Sequence, residues 1–459
     1  GKYKFRYRRV NPAGELAYDT TAVRQNGDID ATRIEANVHG SIDNGSWTAK
    51  VYNYTSERGV PGAIVNNVWK RGERIWDNNS FVQGSFNKHI GRFTTLANAK
   101  YAFYRTHYVN NDDKQIKIDN LYKQREIYLS TANMYEILPQ WSVSASYDFM
   151  WNDLHADMYG FAKPTRVSNL LSAATALDLG RFKLQASAMG TFIHDRLVGQ
   201  ESPKDRKVFT PAVYLSGNPL RNREFSVRAF YKRSFRMPTF NDLYYADMGN
   251  SKLNPEHVSQ YNFGIVYSHS TRGFWHNCRI SVDAYYNKVK DKIVAYPKGQ
   301  QFRWTMLNLG RVHIWGADVL LSTTLQPAPA WSATLRAQYT WQQARDVTSP
   351  SRTYYRHQIA YVPCHSGSFV ASVQHGGWGM DYSFIYAGKR WNAQENTPRN
   401  EMQPWYTHDV ALRYAFSLLG RYACRVSLEV NNLLNQQYEV IQNYPMPGTN
   451  VRLGWEMTW

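Results

Sequence analysis

The sequence lacks the features by which many membrane and metal-binding proteins are recognised. None of its apolar runs reaches the roughly 18 residues that a membrane-spanning helix needs. Only three cysteines occur, Cys278, Cys364 and Cys424, and their wide spacing forms no CxxC or Cys/His pattern. We therefore expect three isolated thiols, no metal site and no cofactor.

Acidic residues are scarce as well. The chain has 36 Asp and Glu against 54 Lys and Arg, which gives a formal net charge of +18. Such a charge suits a polyanionic partner, either nucleic acid or the phosphate-bearing surface of a membrane. No helix-turn-helix, zinc-finger or RNP-type motif is present. We therefore expect no nucleic-acid partner.

Aromatic residues and alternating polarity are abundant. Aromatics make up 15% of the 459 residues, with 33 Tyr and 15 Trp, yet the mean hydropathy is −0.56. In the closing stretch NVRLGWEMTW every second residue from Val451 to Trp459 is apolar. This period of two predicts a strand with one apolar and one polar face. WSATLRAQYTW, CRISVDAYYNK and HDVALRYAFSL repeat the pattern, and helical periodicity is hard to find over comparable windows.

Segments of this kind predict about twenty strands. They lie at roughly 1–9, 30–40, 46–56, 79–90, 95–107, 123–136, 141–150, 166–178, 181–194, 207–217, 223–232, 258–268, 277–290, 302–325, 331–342, 353–375, 378–388, 405–416, 421–431 and 450–459.

The connections between these strands alternate in length. Short ones include SIDNG, LPQ, QPAPA, HGG and SLLG, and long ones cover 57–78, 108–122, 233–257, 389–404 and 432–449. An outer-membrane barrel has tight turns on its periplasmic rim and elaborated loops on its extracellular rim. The sequence therefore predicts an all-β fold, a transmembrane antiparallel up-and-down β-barrel over residues 1–459. A soluble propeller is the alternative, but no repeat of about 40–50 residues is found.

Four stretches and the terminal aromatic carry a family resemblance. The stretches are YKRSFRMPTFNDLYY followed by GNSKLNPE, LNLGRVHIWGADVLLSTTL, and LEVNNLLNQQYEVIQNYPMPGTNVRLGW. They resemble the barrel of TonB-dependent outer-membrane receptors, in the cobalamin and iron-chelate branch, and YTSERGVPGAI suggests a Bacteroidota source. The matching motif residues, which we interpret as structural, are Phe235, Arg236, Pro238, Asn254, Pro255, Glu256, Asn432 and Asn435.

The resemblance implies a barrel of 22 strands around an N-terminal plug, with the plug engaging the TonB complex. We expect the plug and the first two strands to be absent from this chain. The apolar C-terminal residues Trp455, Met457 and Trp459 resemble the signal read by the barrel assembly machinery. Outer-membrane lipid or lipopolysaccharide and a surface lipoprotein are the other expected partners, and the expected location is the cell outer membrane.

The resemblance also implies TonB-dependent import of a scarce metal chelate: cobalamin, haem or a ferric siderophore. A glycan or peptide importer is the alternative within the family, and a passive porin or a barrel enzyme lies outside it. No catalytic triad signature is seen, so no enzyme is expected. Residues placed in the extracellular loops are the ligand-binding candidates, and a haem would take a His or Tyr ligand such as His257 or Tyr245. The candidates are Trp69, Trp76, Tyr244, Tyr245, His257, Trp391 and Tyr444.

Overall fold

The computed structural model describes residues 2–10, 15–65, 72–111, 117–220, 224–245, 248–271, 273–298 and 303–458. Within these ranges nearly all regular structure is β-strand. No helix of the described part is long and apolar enough to cross a membrane. The one α-helix, α1, is a five-residue segment at Phe240–Tyr244.

The strands alternate in direction along the chain. Their bounds are β1 Tyr3–Val10, β2 Leu16–Arg24, β3 Ile29–Ile42, β4 Gly45–Val60, β5 Glu73–Ile90, β6 Phe93–Asn110, β7 Ile118–Leu138, β8 Trp141–Ala156, β9 Thr165–Asp178, β10 Phe182–Arg196, β11 Arg206–Gly217, β12 Phe225–Arg236, β13 Glu256–Ser270, β14 Trp275–Lys298, β15 Arg303–Ala328, β16 Trp331–Asp346, β17 His365–His375, β18 Trp378–Ala387, β19 Arg390–Trp391, β20 Glu401–Met402, β21 Trp405–Leu418, β22 Tyr422–Asn431 and β23 Asn450–Thr458. A short 3₁₀-helix lies at Pro398–Asn400.

One barrel contains every strand except two small pairs. Strands β3 to β18 and β21 to β23 form the barrel wall, while β1 pairs with β2 and β19 pairs with β20 in separate two-stranded sheets. Consecutive wall strands pair antiparallel, as in β14 and β15, whose ladder runs from Trp275 and Leu325 to Lys298 and Arg303. The predicted all-β barrel is confirmed.

The wall has two chemically different faces because side chains alternate along each strand. On β23, Val451, Leu453 and Trp455 point outward and are 64%, 75% and 62% exposed. Arg452 points inward and forms an ion pair with Glu429 on β22. The outward face is therefore apolar and the lumen is polar.

Several charged residues in the lumen are paired across strands. Lys100 on β6 lies 2.9 Å from the carboxylate of Glu126 on β7. Arg413 on β21 pairs with Asp381 on the neighbouring β18. Such pairs offset the charges that the inner face carries within a partly enclosed space.

The ring order places β23 beside β3. Both strands run from the long-loop rim to the short-turn rim, because an odd number of alternating strands leaves the first and last parallel. No paired register joins them within the described residues, whereas every other neighbouring wall pair has a ladder. Nearly all side chains of β3 are exposed, on both faces. The junction between β3 and β23 is the least covered part of the wall.

Several predicted boundaries were wrong. The segment 1–9 is not a wall strand but half of the β1–β2 hairpin, and β2 was not predicted. The predicted strand 353–375 begins only at His365, because turns occupy the preceding residues. Trp76 lies within β5, and not in a loop, because β5 begins at Glu73.

The predicted alternation of connections is confirmed. One rim carries tight turns, such as the one between Ile42 and Gly45, and the other carries the long loops 237–255 and 432–449. The connection 299–302 is the short exception on the long-loop rim. There β14 and β15 are themselves the longest strands, with 24 and 26 residues.

Two residues of the LNLGRVHIWGADVLLSTTL stretch have a clear packing role. Gly316 on β15 is paired with Tyr285 on β14, and the Tyr285 ring lies where a Gly316 side chain would be. Asp318, two residues further on the same face, accepts a hydrogen bond of 2.6 Å from the Thr340 hydroxyl on β16. The glycine therefore lets an inward aromatic ring lie flat on the wall.

We expect Gly316→Ala to displace the Tyr285 ring and to lower the free energy of unfolding by about 1–3 kcal/mol, the usual range for overpacking. Urea unfolding of the protein in lipid vesicles, followed by tryptophan fluorescence, measures this. Gly84→Ala is the matched control, since its nearest neighbour, the Thr48 carbonyl, is 4.0 Å from the new carbon. Equal stability of the two variants would contradict the packing role.

Candidate functional site

The loop 237–255 folds back into the mouth of the barrel. Pro238 and Thr239 follow β12, and Thr239 caps α1 by accepting a hydrogen bond from the backbone amide of Asp242. The Asp242 carboxylate accepts from the Thr239 amide at 2.9 Å, which completes a capping box. The cap directs Phe240 and Leu243 of α1 into buried positions.

Two small apolar clusters hold this loop. On one side Phe240 packs with Tyr122 on β7 and Leu154 on β8. On the other side Leu243 packs with Ile293 on β14 and Met306 on β15. The loop therefore bridges two parts of the wall that are well separated in the ring.

A buried arginine fixes the start of the loop. Arg166 on β9 donates from Nε and Nη2 to the Asp195 carboxylate on β10, both at 2.7 Å. Its Nη1 donates to the Pro238 carbonyl at 2.7 Å, and its guanidinium lies 5.0 Å from the centre of the Phe240 ring. The planar guanidinium group suits this position, because its several N–H donors bind a carboxylate and a backbone carbonyl at the same time.

The two loop tyrosines that were predicted to bind ligand are largely enclosed. The Tyr245 ring stacks on Tyr122 with 4.1 Å between ring centres. Burial raises the pKa of Tyr245 to about 12 and raises the pKa of Tyr244 as well. The Tyr245 phenol therefore stays protonated at neutral pH, and one face of its ring is already occupied.

The asparagines of GNSKLNPE tie the end of the loop to the wall. Asn250 donates from Nδ2 to the Met306 carbonyl at 3.1 Å. Asn254 and Asn308 exchange two hydrogen bonds, since the Asn254 amide donates to Asn308 Oδ1 and Asn308 Nδ2 donates to the Asn254 carbonyl. Glu256 accepts a bond of 2.8 Å from the Ile293 amide. Through these contacts the motif residues hold the end of the loop against the wall.

A second loop, 432–449, crosses the mouth between β22 and β23. The amide of Ile64, just beyond β4, donates to the Asn443 carbonyl at 2.9 Å. The Tyr3 hydroxyl of β1 donates to the Pro445 carbonyl at 2.6 Å. Trp304 of β15 donates from Nε1 to the Tyr444 hydroxyl at 3.0 Å. We call this loop the cross-loop, because its contacts lie on distant parts of the rim.

Arg390 fastens the cross-loop to the adjoining loop 388–404. It is 2% exposed, and its guanidinium donates to the carbonyls of Gln403, Glu439 and Val440. The neighbouring Asn392 donates from Nδ2 to Gln442 Oε1 at 2.7 Å. A single buried guanidinium thus satisfies three backbone acceptors that the crossing of two loops would otherwise leave without donors.

Two motif asparagines shape the cross-loop. Asn432 and Asn435 both adopt left-handed backbone conformations, with φ of 50° and 51°, which asparagine tolerates better than most residues. Asn432 Nδ2 donates to the carbonyls of Gln436 and Pro447, and Asn432 Oδ1 accepts from the Gln436 amide. Asn435 Oδ1 accepts from the Thr449 amide.

A cleft of about 390 Å³ lies between the β1–β2 hairpin, the loop 388–404 and the cross-loop. Its wall includes Trp405 stacked on Tyr438, with 4.7 Å between ring centres. Arg6, Arg8 and Arg399 also line it. The combination of stacked rings and guanidinium groups can hold a flat or anionic part of a ligand.

The structure separates the predicted ligand-binding residues into two groups. Tyr244, Tyr245, Trp391 and Tyr444 belong to loops at the mouth. Trp76 lies on the outward face of β5, where its ring stacks on that of His107, and His257 lies on the outward face of β13 beside Phe235. Trp69 and Trp459 lie outside the described residues.

Several residues that build the mouth were not identified from the sequence. Examples are Arg166, Glu439 and Tyr361, whose amide donates to the Trp391 carbonyl at 2.7 Å, and the anchoring role of Arg390. For Arg390 the sequence carried only a weak signal, because an arginine next to a tryptophan in a polar loop can be a buried anchor. The contacts that it makes join residues about fifty positions apart, so periodicity does not reveal them.

The cross-loop contains a carboxyl group that should make its docking sensitive to pH. Burial, the largest cause, raises the pKa of Glu439 above 4.5, while the Asn443 amide and the charges of Arg390 and Arg24 oppose the rise. The docked loop therefore favours the protonated acid. Its free energy of opening is highest at low pH and falls as pH rises through the raised pKa.

We expect amide exchange in 432–449, corrected for intrinsic rates, to be faster at about pH 7.5 than at about pH 4.5. Glu439→Gln should remove this dependence, because the amide can still accept from Asn443 but does not titrate. Glu456→Gln, on β23, is the control and should keep it. A pH dependence that survives in Glu439→Gln would assign it to another group.

The sequence profile of the family described as "TonB dependent receptor-like, beta-barrel" matches residues 2–433. The "Vitamin B12 transporter BtuB" of Vibrio vulnificus is 25% identical over 207 residues, which are 45% of this chain and 29% of that protein. The protein of the same name from Photobacterium profundum is 24% identical over 228 residues, 48% of this chain and 33% of that protein. The matched part thus spans about a third of the length of these curated relatives.

Solved structures show the same fold at low sequence identity. The unliganded ferric citrate transporter FecA matches with a TM-score of 0.76 at 12% identity, covering 96% of this chain and 72% of that chain. The copper transporter OprC gives 0.74 at 13% identity, with 94% and 71% covered. The FrpB iron transporter from Neisseria meningitidis (F3-3 variant) gives 0.71 at 12%, with 99% and 75% covered.

The profile covers most of the chain, and the barrel, its alternating connections and its two faces agree with it. The protein lies in the outer membrane, and it belongs to the family of TonB-dependent receptors.

Proposed function

We propose that this protein imports a scarce metal chelate across the outer membrane, with energy supplied through TonB. The observation that carries the proposal is the family profile over residues 2–433. The two curated relatives, both named vitamin B12 transporters, support a chelate of the cobalamin, haem or ferric siderophore class. Structural relatives named for copper, ferric citrate and iron point the same way.

The partners are proposed for the whole protein. In this family the plug makes the contact with TonB, and residues 1–459 would supply wall and loops of the receptor. The barrel assembly machinery would read the outward Trp455 and Met457 near the end of β23. Lipopolysaccharide and a surface lipoprotein are the remaining proposed partners. A Bacteroidota source stays a prediction.

The mouth offers a chemical basis for ligand capture. Trp391 carries the Lys389 ammonium 5.9 Å from its ring centre, and Lys389 also pairs with Glu401. The cleft beside it is lined by arginines and stacked rings. Its volume of about 390 Å³ is near the lower end of ordinary ligand pockets, so it would hold one edge of a chelate.

A glycan or peptide ligand is the second proposal within the family, since stacked rings and guanidinium groups also bind sugars and carboxylates. A passive porin is less well supported, because the loop 237–255 and the cross-loop both traverse the mouth. We propose no bond-breaking step: the buried Arg166 and Arg390 are used in holding loops.

Ligand uptake tests the proposal directly. Cells expressing the intact native gene should accumulate radiolabelled cyanocobalamin, iron from haem, or iron from a ferric siderophore. Accumulation of at least one should stop on addition of a protonophore or on deletion of the TonB gene, because the transport step needs energy. Uptake that continues unchanged without TonB would contradict active import, and absence of all three uptakes would contradict the chelate class.

Aromatic substitutions test the location of the binding surface. We expect Trp391→Ala and Tyr444→Ala each to weaken binding of the transported chelate by about tenfold, the loss of roughly 1.4 kcal/mol of contact energy. Trp76→Ala removes an equally large ring from the outward face and should leave the affinity unchanged. Titration of tryptophan fluorescence with the chelate measures all three, and equal losses at Trp76 and Trp391 would contradict a mouth site.

A further inference from the structure

Strands β12 to β16 carry an ordered set of side chains on their outward face. Cross-strand pairing aligns one row of five residues from strand to strand: Arg233, Ser259, Lys288, His313 and Arg345. The next row toward the long-loop rim consists of Phe235, His257, Lys290 and Arg311. We call these two rows together the basic band.

The basic band faces outward and is not neutralised. Lys288 and Lys290 are exposed, whereas Val289 between them is buried on the inner side, and Arg311 alternates in the same way with buried Val312. Within the described residues, no ion pair joins any cation of the band to a carboxylate. The charged groups that act on His257 are the cations Lys290, Arg233 and Arg206 and the carboxylate of Asp291.

An aromatic row lies directly below the basic band, on the side away from the long loops. Its members are Tyr231, Tyr261, Tyr286, Trp315 and Gln343. The rings of Tyr286 and Trp315 stack with 3.9 Å between their centres. Lys288 Nζ lies 5.6 Å from the centre of the Tyr286 ring, and the Tyr286 hydroxyl is 3.1 Å from His313 Nδ1. Aromatic side chains in such a row favour the boundary between lipid and water.

Small residues make the following row concave. It consists of Ala229, Phe263, Ala284, Ala317 and Trp341. Three alanines between large rings leave an outward groove of about 630 Å³, lined almost wholly by apolar atoms. The groove therefore extends from the aromatic row down over these alanines, and the cations lie above it.

We propose that this surface is a binding site for a phosphorylated, multiply acylated lipid of the outer leaflet. The phosphates would lie on Arg233, Lys288, Lys290, Arg311 and Arg345, and an acyl chain would occupy the groove over Ala284. Cations aligned above an apolar groove complement both parts of such a lipid. A soluble polyanion needs only the cations, and a neutral lipid needs only the groove.

The dimensions agree with a lipid that has more than one phosphate. Neighbouring strands lie about 4.8 Å apart, so the row from Arg233 to Arg345 spans roughly 19 Å. A headgroup with separated phosphates can therefore contact cations on several strands at once. The proposal assigns a site to the lipopolysaccharide partner of the proposed function, and it rests on the outer-membrane location and on this face of the wall. It does not depend on the transport activity or on its ligand.

Native mass spectrometry of the purified protein in detergent tests the site. The probes are bis-phosphorylated lipid A, the same lipid without phosphates, and phosphatidylcholine. We expect lipid A to bind most tightly. Arg233→Gln with Lys288→Gln should weaken it roughly 30-fold, at about one kcal/mol for each charge near an anionic lipid surface. Lys232→Gln with Arg336→Gln removes the same charge from the lumen face of the same sheet and should change affinity less than about twofold.

A groove-filling variant separates the lipid from a free anion. Ala284→Trp keeps every cation, so it should lower the affinity for lipid A but leave any binding of inorganic pyrophosphate unchanged. Semi-native electrophoresis confirms that each variant keeps a folded barrel. The proposal is overturned if the two double variants bind lipid A equally, if phosphatidylcholine binds as tightly as lipid A, or if Ala284→Trp has no effect.

Discussion

The structure depends on one constraint: inside a membrane every backbone amide and carbonyl must have a partner within the protein. The wall meets it by pairing neighbouring strands in ladders, at every junction described except that between β23 and β3. Once pairing is fixed, side chains must alternate between the lumen and the outside, since the period of a strand is two. The apolar outer face, the polar lumen with its paired charges, and the aligned rows of β12 to β16 all follow from that alternation.

The mouth meets the same constraint by different means. Loops that cross an enclosed space form few ladders with each other, so several of their carbonyls take donors from side chains. Arg166 serves the Pro238 carbonyl, and Arg390 serves three carbonyls at the crossing of two loops. Asparagines do the same for single turns, as Asn432 does in the cross-loop. Planar side chains with several donors are suited to this task.

The sequence predicted the wall well and the mouth poorly, for physical reasons. Alternation is a local property, so the strands and the two rims could be recognised from short windows. Turns and hairpins outside the wall carry weaker patterns, which explains the missed β2 and the misplaced start of β17. Trp76 is an example of the error in strand boundaries. It was placed in a loop because the predicted strand began a few residues too late. Contacts such as Trp304 with Tyr444 join distant positions that no periodicity relates.

The cross-loop is held at the mouth by contacts that are separate from the ladders of the wall. Its ends continue into β22 and β23, but its middle is held by Ile64, Tyr3, Trp304 and Arg390, which belong to four other segments. Cutting the peptide chain once within 432–449 would leave all wall ladders intact, because none of them passes through it. The mouth would nevertheless lose the continuous segment that connects its opposite sides. The opening is therefore narrowed by this span of eighteen residues as well as by the loop 237–255, and not by the wall alone.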